Sequence, residues 1–412
     1  MNGFYLAWRN LKDRPLRMTF NLLLIGLATG LIAISLLVNL QFKNHFEKNL
    51  AGVDLILSAK GSPLQSVLCN MFHIDAPTGN IPLSETKAFL NPAHPLIKKA
   101  LPLCLGDQVG GFRIAGTTLE FLDWYQLSFR EGNAFKGDFE AIVGSEAAKG
   151  LELKTGSVFQ SGHGLVDDPE HAHEHEFKVS GILNPSGTVA DRLVLVSASS
   201  YWALHHDEQA ENHADHHHGP PCIRNADLLN TKDQITSLLL EFKGTNIQTL
   251  NFGRSINENT GLMASYPAIE LNRMYELTGS ATELFSLIAG LLIILAALSL
   301  FISMWQAMDE RQYETAILRL GGATRWRILY WVLLEGFLLS AIGVLLGLAA
   351  AHAVLILVAE PFALQQKYGI GGWVFFREEI WILVLGIALG LLSAWIPAMK
   401  ALRGDIHRTL TT

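Results

Sequence analysis

The amino-acid sequence predicts a membrane protein with four transmembrane α-helices and an α+β extracytoplasmic domain inserted between the first and second helices. Three observations predict this class: half of the 412 residues are hydrophobic, only 17% are charged, and the apolar residues gather in four blocks. Soluble domains carry roughly 25% charged residues, so this chain is more apolar than a soluble core requires. The same figures exclude a disordered chain, a collagen-like repeat, a coiled coil and a small disulfide scaffold.

The first apolar block follows a short basic segment. We predict a cytoplasmic amphipathic helix over residues 1–18 and the first transmembrane helix over residues 19–41. Phe20 to Leu40 carries no charge over 21 residues, and at 1.5 Å per residue this is about 31 Å, one bilayer core. A secretory signal peptide is the alternative. Because the block is long for a signal core and no small-residue cleavage site follows, we expect it to be retained.

Three further apolar blocks predict the remaining transmembrane helices, at residues 281–305, 328–358 and 380–398. They are joined and followed by three polar segments, at residues 306–327, 359–379 and 399–412. Glu335 is the only acid well inside a predicted span, and His352 is the only other ionisable group there. Charged groups at membrane depth mark ion or substrate paths, but a role in packing between helices is the alternative for Glu335.

The orientation follows from the positions of Lys and Arg. Three segments are basic, and their cations are Arg9, Lys12, Arg14, Arg17, Arg311, Arg319, Arg325, Arg327, Lys400, Arg403 and Arg408. The segment at residues 359–379 has two cations, Lys367 and Arg377, against three carboxylates. The positive-inside rule therefore predicts cytoplasmic termini, a cytoplasmic middle segment and an external domain over residues 42–280.

The external stretch determines the net charge of the protein. Lys43 to Ser280 contains 18 basic and 28 acidic residues, whereas the remainder is net positive. An acidic external domain argues against a nucleic-acid partner. Short β-rich runs are predicted at Val53–Leu57, Phe112–Ala115, Ala141–Gly144, Phe177–Leu183 and Leu193–Val196. Helices are predicted at Leu83–Leu90 and Asp233–Phe242, which makes the domain α+β.

All three cysteines, Cys69, Cys104 and Cys222, fall in the external stretch. An oxidising compartment permits a disulfide, and an odd count leaves one thiol over. Cys69 with Cys104 is the first pair to test. Three buried free cysteines are the alternative, and the sequence does not separate the two.

The external stretch also contains ten of the fifteen histidines, between His163 and His218. Imidazole and carboxylate together suit Zn²⁺, Ni²⁺ or Cu²⁺. The candidate ligands in this insertion, residues 163–218, are His171, His173, His175, His205, His206, His213, His216, His217 and His218. The spacing matches no recognised structural zinc pattern. A solvated low-complexity insertion that binds metal weakly is the alternative.

The segment after the second span is the most specific feature of the chain. Residues 310–320 are predicted to form an amphipathic helix whose Tyr313, Ile317 and Leu320 share one face. The paired glycines Gly321 and Gly322 then end the helix. Such a helix is suited to contact a soluble partner, whereas an ordinary basic loop that anchors the bilayer is the alternative.

This segment resembles the signature of the MacB/FtsX-type permease family of ABC transporters. The matching residues are Tyr313, Glu314, Ala316, Leu318, Arg319, Gly321 and Ala323, with Gly322 as the extra residue of the family's alternate Gly-Gly-Ala version. The resemblance extends to Ala7, Arg9, Asn10, Leu11, Glu335, Gly343, Gly347, Pro397, Ala398 and Ala401. The family's later proline is replaced by Asp405.

The resemblance implies a non-catalytic permease subunit of the bacterial inner membrane with a MacB-like periplasmic core domain. The chain has no G-x-x-x-x-G-K-[ST] phosphate loop, so ATP is expected to be bound and hydrolysed by a separate ATPase dimer. No cofactor is expected in this chain, and Zn²⁺ at the His-rich segment stays one of the two alternatives given above. The implied partners are that ATPase, a second permease copy, membrane lipids and a periplasmic or lipoprotein cargo or accessory protein. The implied function is to couple ATP hydrolysis by that ATPase to a conformational change of the periplasmic domain, for export or extraction of a periplasmic or lipid-linked cargo. The implied ATPase-coupling residues are the matching residues of the segment after the second span, from Tyr313 to Ala323. Regulation of a cell-wall hydrolase and a zinc-linked membrane sensor are the alternatives.

Overall fold

The computed structural model describes residues 3–163, 172–209, 221–359, 361, 364 and 369–403. The chain divides into two compact units: residues 1–44 with 276–412, which we call the helical unit, and residues 45–275, which we call the inserted domain. Because the inserted domain is an α/β unit that falls in sequence between the first and second of four long apolar helices, the predicted fold class is confirmed.

The described residues form α-helices in both units and strands in the inserted domain. The helices are α1 (Gly3–Lys12), α2 (Pro15–Leu50), α3 (Pro63–Phe72), α4 (Leu83–Leu90), α5 (Glu120–Trp124), α6 (Ser145–Gly150), α7 (Ala198–Gln209), α8 (Ile247–Asn259), α9 (Pro267–Glu310), α10 (Gln312–Leu320), α11 (Arg325–Ala359) and α12 (Glu379–Arg403). The strands are β1 (Leu55–Ala59), β2 (Ile81–Pro82), β3 (Ile97–Val109), β4 (Phe112–Thr117), β5 (Phe129–Gly132), β6 (Glu140–Val143), β7 (Val158–His163), β8 (Ala172–Leu183), β9 (Leu193–Ser197), β10 (Gln234–Ile235), β11 (Ser237–Phe242) and β12 (Leu262–Ser265).

Four of these helices are long and apolar enough to cross a membrane, and they make the chain a multi-pass membrane protein. The candidate spans are Pro15–Leu50, Glu283–Glu310, Arg325–Ala359 and Glu379–Lys400. A bilayer core requires about 20 residues of α-helix, so α2 with 36 residues and α9 with 44 residues are longer than one crossing needs. Pro15 occupies the first position of α2, where a missing backbone N–H removes no hydrogen bond.

Small residues bring the first and third spans into close contact. A Cβ placed on Gly30 would lie 3.2 Å from the carbonyl oxygen of Gly347, and one on Gly26 would lie 3.6 Å from that of Gly343. The two glycines on each helix are four residues apart, and such spacing lets helix backbones approach closely in lipid. Close backbone contact between α2 and α11 therefore depends on these glycines.

Gly347→Ala is expected to destabilise the helical unit. The added Cβ would clash with the Thr29 hydroxyl and lie 2.6 Å from the carbonyl oxygen of Gly26, and overpacking of this kind costs about 1–3 kcal/mol. Thermal unfolding in detergent should show a lower midpoint. Gly290→Ala on α9 is the matched control, since its Cβ meets no atom within 4 Å. An equal midpoint for the two variants would contradict the close-contact account.

The inserted domain is built on one large sheet whose strands run in the order β12-β1-β11-β3-β4-β9-β6-β8-β5. Strand β7 pairs antiparallel with both β3 and β8. Because β3, β4, β9, β6 and β8 are already consecutive neighbours, the two pairings of β7 close these six strands into a ring. The main apolar core of the domain includes Leu57, Ile114, Val143, Phe177 and Val194.

The five predicted strand runs overlap β1, β4, β6, β8 and β9 and are confirmed. The helix predicted at Leu83–Leu90 is confirmed with the bounds of α4. The helix predicted at Asp233–Phe242 is wrong, because this segment forms β10 and β11. Strand β11 pairs with β1 on one side and β3 on the other, and its consecutive Leu238, Leu239 and Leu240 are all buried. A run buried on both faces lacks the alternation that identifies a strand.

The three cysteines are free and buried in this structure, so the Cys69–Cys104 disulfide is not formed. Burial raises the pKa of Cys69 and of Cys104 to about 12, and that of Cys222 to about 11. Since the thiolate is the reactive form, these thiols are protonated and unreactive at neutral pH. They contribute to the core as small apolar side chains.

Candidate functional site

The helix α10 is a short amphipathic helix with a defined end. The backbone N–H of Gly321 donates to the Ile317 carbonyl at 3.0 Å, and that of Ala323 donates to the Leu318 carbonyl at 3.0 Å. Gly322 adopts a φ of 92°, which favours glycine. The paired glycines therefore stop the helix as the sequence predicts, although α10 starts at Gln312 because Glu310 is the last residue of α9.

One side of α10 is packed and the other is open. Ala316 is buried, whereas Tyr313, Ile317 and Leu320 are 61%, 49% and 65% exposed. We call these three exposed apolar residues the outer face of α10. Glu314 is also exposed, while Leu318 and Arg319 are half-buried. A short helix with three large apolar side chains in the open is a candidate contact surface for another protein.

A buried carboxylate lies beside the start of α10. Glu335 on α11 is 6% exposed. It accepts hydrogen bonds from Asn10 Nδ2 at 2.5 Å and from Arg311 Nη1 at 3.0 Å. Arg311 also donates through Nη2 to the Asn10 carbonyl at 3.1 Å. We call Asn10, Arg311 and Glu335 the anchor cluster, because it joins α1, α11 and the residue that precedes α10.

Further ion pairs hold the end of α9, immediately before α10. Glu310 pairs with Arg14 and with Arg17, the latter at 3.1 Å. Asp309 pairs with Lys400 Nζ at 2.5 Å and accepts from Gln312 Nε2 at 3.0 Å. These ion pairs fix the end of α9, and with it the start of α10, to α2 and α12.

A second buried polar cluster lies further along α11. His352 Nε2 lies 2.9 Å from Glu379 Oε2, and Nδ1 lies 2.7 Å from the Gly372 carbonyl. The Gly371 N–H donates to Gln41 Oε1 at 2.7 Å. His352 is seventeen residues beyond Glu335, or about 26 Å along the helix axis. The two ionisable groups predicted inside the spans therefore belong to separate clusters, each with partners on other segments.

The predicted metal ligands are only partly described. His171, His213, His216, His217 and His218 lie outside the described residues, and for His173 and His206 only the backbone is described. His175 on β8 is exposed and its ring stacks on Phe139 with centroids 4.8 Å apart. His205 on α7 lies with Nε2 3.2 Å from Asp107 Oδ2. No group of three or more His, Cys, Asp or Glu side chains among the described residues is arranged to hold a metal ion.

Sequence reasoning missed Arg311 as the partner of Glu335 and Asp107 as the partner of His205. Arg311 was counted only as an orienting charge, and its pairing with Glu335 depends on how the helices pack. Asp107 had a local signal, since it is an acid that closely follows the apolar run ALPLCL. Its side chain is fully buried, and acids are rarely buried without a partner.

Comparison with known proteins finds similarity over the C-terminal part of the chain. Residues 286–406 match the family described as FtsX-like permease C-terminal. The chain is 27% identical over 158 residues to the uncharacterized ABC transporter permease YknZ of Bacillus subtilis. That match covers 36% of this chain and 37% of the relative. The matched family region contains most of α9, all of α10 and α11, and α12.

Two solved structures also show similarity. The periplasmic region of MacB from Actinobacillus actinomycetemcomitans aligns with a TM-score of 0.33 at 12% identity, and covers 56% of this chain and 97% of that structure. The extracellular domain of the noncanonic ABC-type transporter YknZ from Gram-positive bacteria aligns with a TM-score of 0.30 at 12% identity, and covers 52% of this chain and 98% of that structure.

Proposed function

We propose that the protein is the permease subunit of an ABC transporter, because its residues 286–406 match the FtsX-like permease family. In this proposal a separate ATPase dimer binds and hydrolyses ATP, and the outer face of α10 binds that ATPase. The observation that carries the proposal is the exposure of Tyr313, Ile317 and Leu320 on a helix whose start is fixed by the anchor cluster.

The contacts of α10 support a role in transmitting motion. A partner that displaces α10 also displaces Arg311, which is bonded to both Glu335 and Asn10. Glu335 belongs to α11 and Asn10 to α1, so the displacement reaches two further helices. The exposed Glu314 and the half-buried Arg319 supply charge for pairing with the ATPase, and Gly321 and Gly322 permit close approach of its backbone.

The remaining parts of the proposal follow from charge and composition. The basic flanks of the spans orient α1 and α10 to the cytoplasm and the inserted domain to the outside of the bacterial inner membrane. A second permease copy, identical or related, would complete a transporter with an ATPase dimer. The chain itself performs no catalysis in this account.

We assign the cargo to the outer side of the membrane. Glu335, His352 and Glu379 are the buried ionisable side chains among the described residues of the spans, and each is engaged by protein partners. Ionisable groups that mark a transport path face the bundle interior or a water-filled cavity, where they remain open to the substrate. The arrangement therefore favours movement of the inserted domain, which would export or extract a periplasmic or lipid-linked cargo.

Copurification tests whether the ATPase binds the outer face of α10. The tagged full chain, extracted from its native membrane in mild detergent, is expected to bring down one ABC ATPase. Ile317→Glu should lose this ATPase, because it places a charge in the centre of an apolar contact. Ile247→Glu is the matched control, since Ile247 is a 77% exposed isoleucine on α8 of the inserted domain. Retention of the ATPase by the Ile317 variant, or its loss from both, would overturn the proposal.

A further inference from the structure

The helix α1 packs on α11 through one row of side chains. Ala7 is fully buried and Leu11 is 7% exposed, and both belong to the same apolar cluster as Leu329 of α11. Beside this row, Asn10 Nδ2 donates to Glu335 at 2.5 Å. The helix is therefore a fixed part of the helical unit, held against one side of α11.

These contacts place α1 at the depth where α11 enters the membrane. Glu335 lies ten residues after Arg325, the first residue of α11, which is about 15 Å along the helix axis. Arg325 and Arg327 are exposed, and after them Glu335 is the only Asp, Glu, Lys or Arg in the helix. Cations that precede an apolar span lie at the level of the lipid headgroups. A helix bonded to Glu335 is therefore held near the boundary between headgroups and acyl chains.

The side of α1 that does not pack on α11 is aromatic and cationic. Phe4 and Tyr5 are 59% and 62% exposed, and Arg9 and Lys12 are also exposed. Trp8 is half-buried, and Lys12 Nζ lies 5.6 Å from the centroid of its ring. We call these five residues the aromatic face of α1. A helix on a water-exposed surface carries polar side chains on its outer side, whereas aromatic rings with cations are typical of helices that lie in a membrane interface.

The charges around the aromatic face favour an anionic ligand. Within residues 9–17 there are four cations and one carboxylate, namely Arg9, Lys12, Arg14, Arg17 and Asp13. Arg14 and Arg17 both pair with Glu310, and counting that carboxylate leaves an excess of two positive charges. An excess of this sign close to the headgroups attracts anionic lipids.

We propose that the aromatic face of α1 binds the inner leaflet of the membrane, with Arg9 and Lys12 on the headgroup phosphates of anionic phospholipids. Phe4, Tyr5 and Trp8 lie between the headgroups and the acyl chains, where aromatic rings are favoured. Each cation near an anionic membrane surface strengthens binding about fivefold. Because α1 also carries Asn10, the lipid holds one side of the anchor cluster in place. The contact does not depend on the ATPase.

An environment-sensitive dye on the aromatic face tests the proposal. The three native cysteines are buried, so Tyr5→Cys can be labelled selectively with acrylodan. The full chain is placed, without any ATPase, in nanodiscs of phosphatidylcholine alone or mixed with phosphatidylglycerol. The emission from position 5 is expected to be blue-shifted in phosphatidylcholine, and further blue-shifted when phosphatidylglycerol is present. Leu250→Cys is the matched control, since Leu250 is 63% exposed on α8 of the inserted domain, and its label should emit as in water in both lipids.

Replacing the two exposed cations separates anionic headgroups from lipid in general. Arg9→Gln combined with Lys12→Gln should weaken the apparent affinity for phosphatidylglycerol at least about tenfold, while the blue shift in phosphatidylcholine remains. Lys149→Gln combined with Lys154→Gln is the control, since both lysines are exposed cations of the inserted domain, and it should behave as wild type.

Three outcomes would overturn the proposal. The first is equal emission from position 5 in the two lipids, and the second is an unchanged affinity for phosphatidylglycerol in the Arg9 and Lys12 variant. The third is emission that stays as in water in both nanodiscs and shifts only when the copurified ATPase is added. That result would make the aromatic face of α1 a protein contact.

Discussion

Reversing the charges on α10 with Glu314→Arg and Arg319→Glu together is expected to abolish stimulation of the partner ATPase while the chain still inserts in the membrane. Glu314 is exposed and Arg319 half-buried on the helix that carries the outer face. Like charges brought together at an interface cost several kcal/mol, and each 1.4 kcal/mol is tenfold in affinity. ATP hydrolysis in proteoliposomes that contain both subunits should therefore fall by more than about tenfold toward the rate of the ATPase alone.

The control for this double variant is a second reversed pair on the inserted domain. Arg254 and Glu258 form an exposed ion pair at 2.7 Å on α8. Reversing both charges there preserves the pair and leaves α10 unchanged, so ATP hydrolysis should match the wild-type rate. Unchanged stimulation in the Glu314 and Arg319 variant, at equal reconstitution, would show that α10 does not pair with the ATPase through these charges.

Glu335→Ala is expected to destabilise the helical unit and to uncouple α10 from α1 and α11. The substitution leaves Arg311 and Asn10 without the carboxylate that accepts their hydrogen bonds. Removing one partner of a buried ion pair costs about 3–5 kcal/mol. Thermal unfolding in detergent should show a lower midpoint, and any folded fraction should stimulate the ATPase less than wild type does.

Two further variants separate the loss of the Glu335 charge from the loss of its side chain, and a buried carboxylate from an exposed one. Glu335→Gln keeps the shape and an oxygen acceptor, so it should fall between wild type and Glu335→Ala. Glu310→Gln removes a carboxylate that pairs with Arg14 and Arg17 but is 43% exposed, and exposed pairs contribute about 0–1 kcal/mol. A larger loss of stability for Glu310→Gln than for Glu335→Ala would contradict the role of the anchor cluster.

The elements with a strong local pattern could be predicted from the sequence. Long uncharged blocks identified the spans, because the bilayer requires about 20 apolar residues in a row. The spacing of Tyr313, Ile317 and Leu320, with Gly321 and Gly322 after them, identified α10. The segment at Asp233–Phe242 was mistaken for a helix. A strand buried on both faces has no period-two alternation, and only its pairing with β1 and β3 shows what it is.

The contacts within the candidate sites could not be predicted from the sequence, because they join residues that only the tertiary structure brings together. The pairing of Arg311 with Glu335 joins residues on two helices whose relative rotation no local pattern specifies. Asp107 on β3 and His205 on α7 are nearly a hundred residues apart in sequence, and they meet because α7 packs against β3 and β4. The histidine-rich composition left a metal site and a solvated insertion as alternatives, and the sequence could not show which histidine lies against a buried acid.

Site-specific crosslinking tests most directly whether α10 contacts the ATPase. A photoreactive benzoylphenylalanine in place of Tyr313 is expected, on irradiation of native membranes, to form a covalent adduct with the ABC ATPase. The same group in place of Trp373, which is 77% exposed on the segment between α11 and α12, should form none. An ATPase adduct from the Tyr313 position alone would support α10 as the binding site of the ATPase. The absence of that adduct, or an equal yield from Trp373, would contradict it.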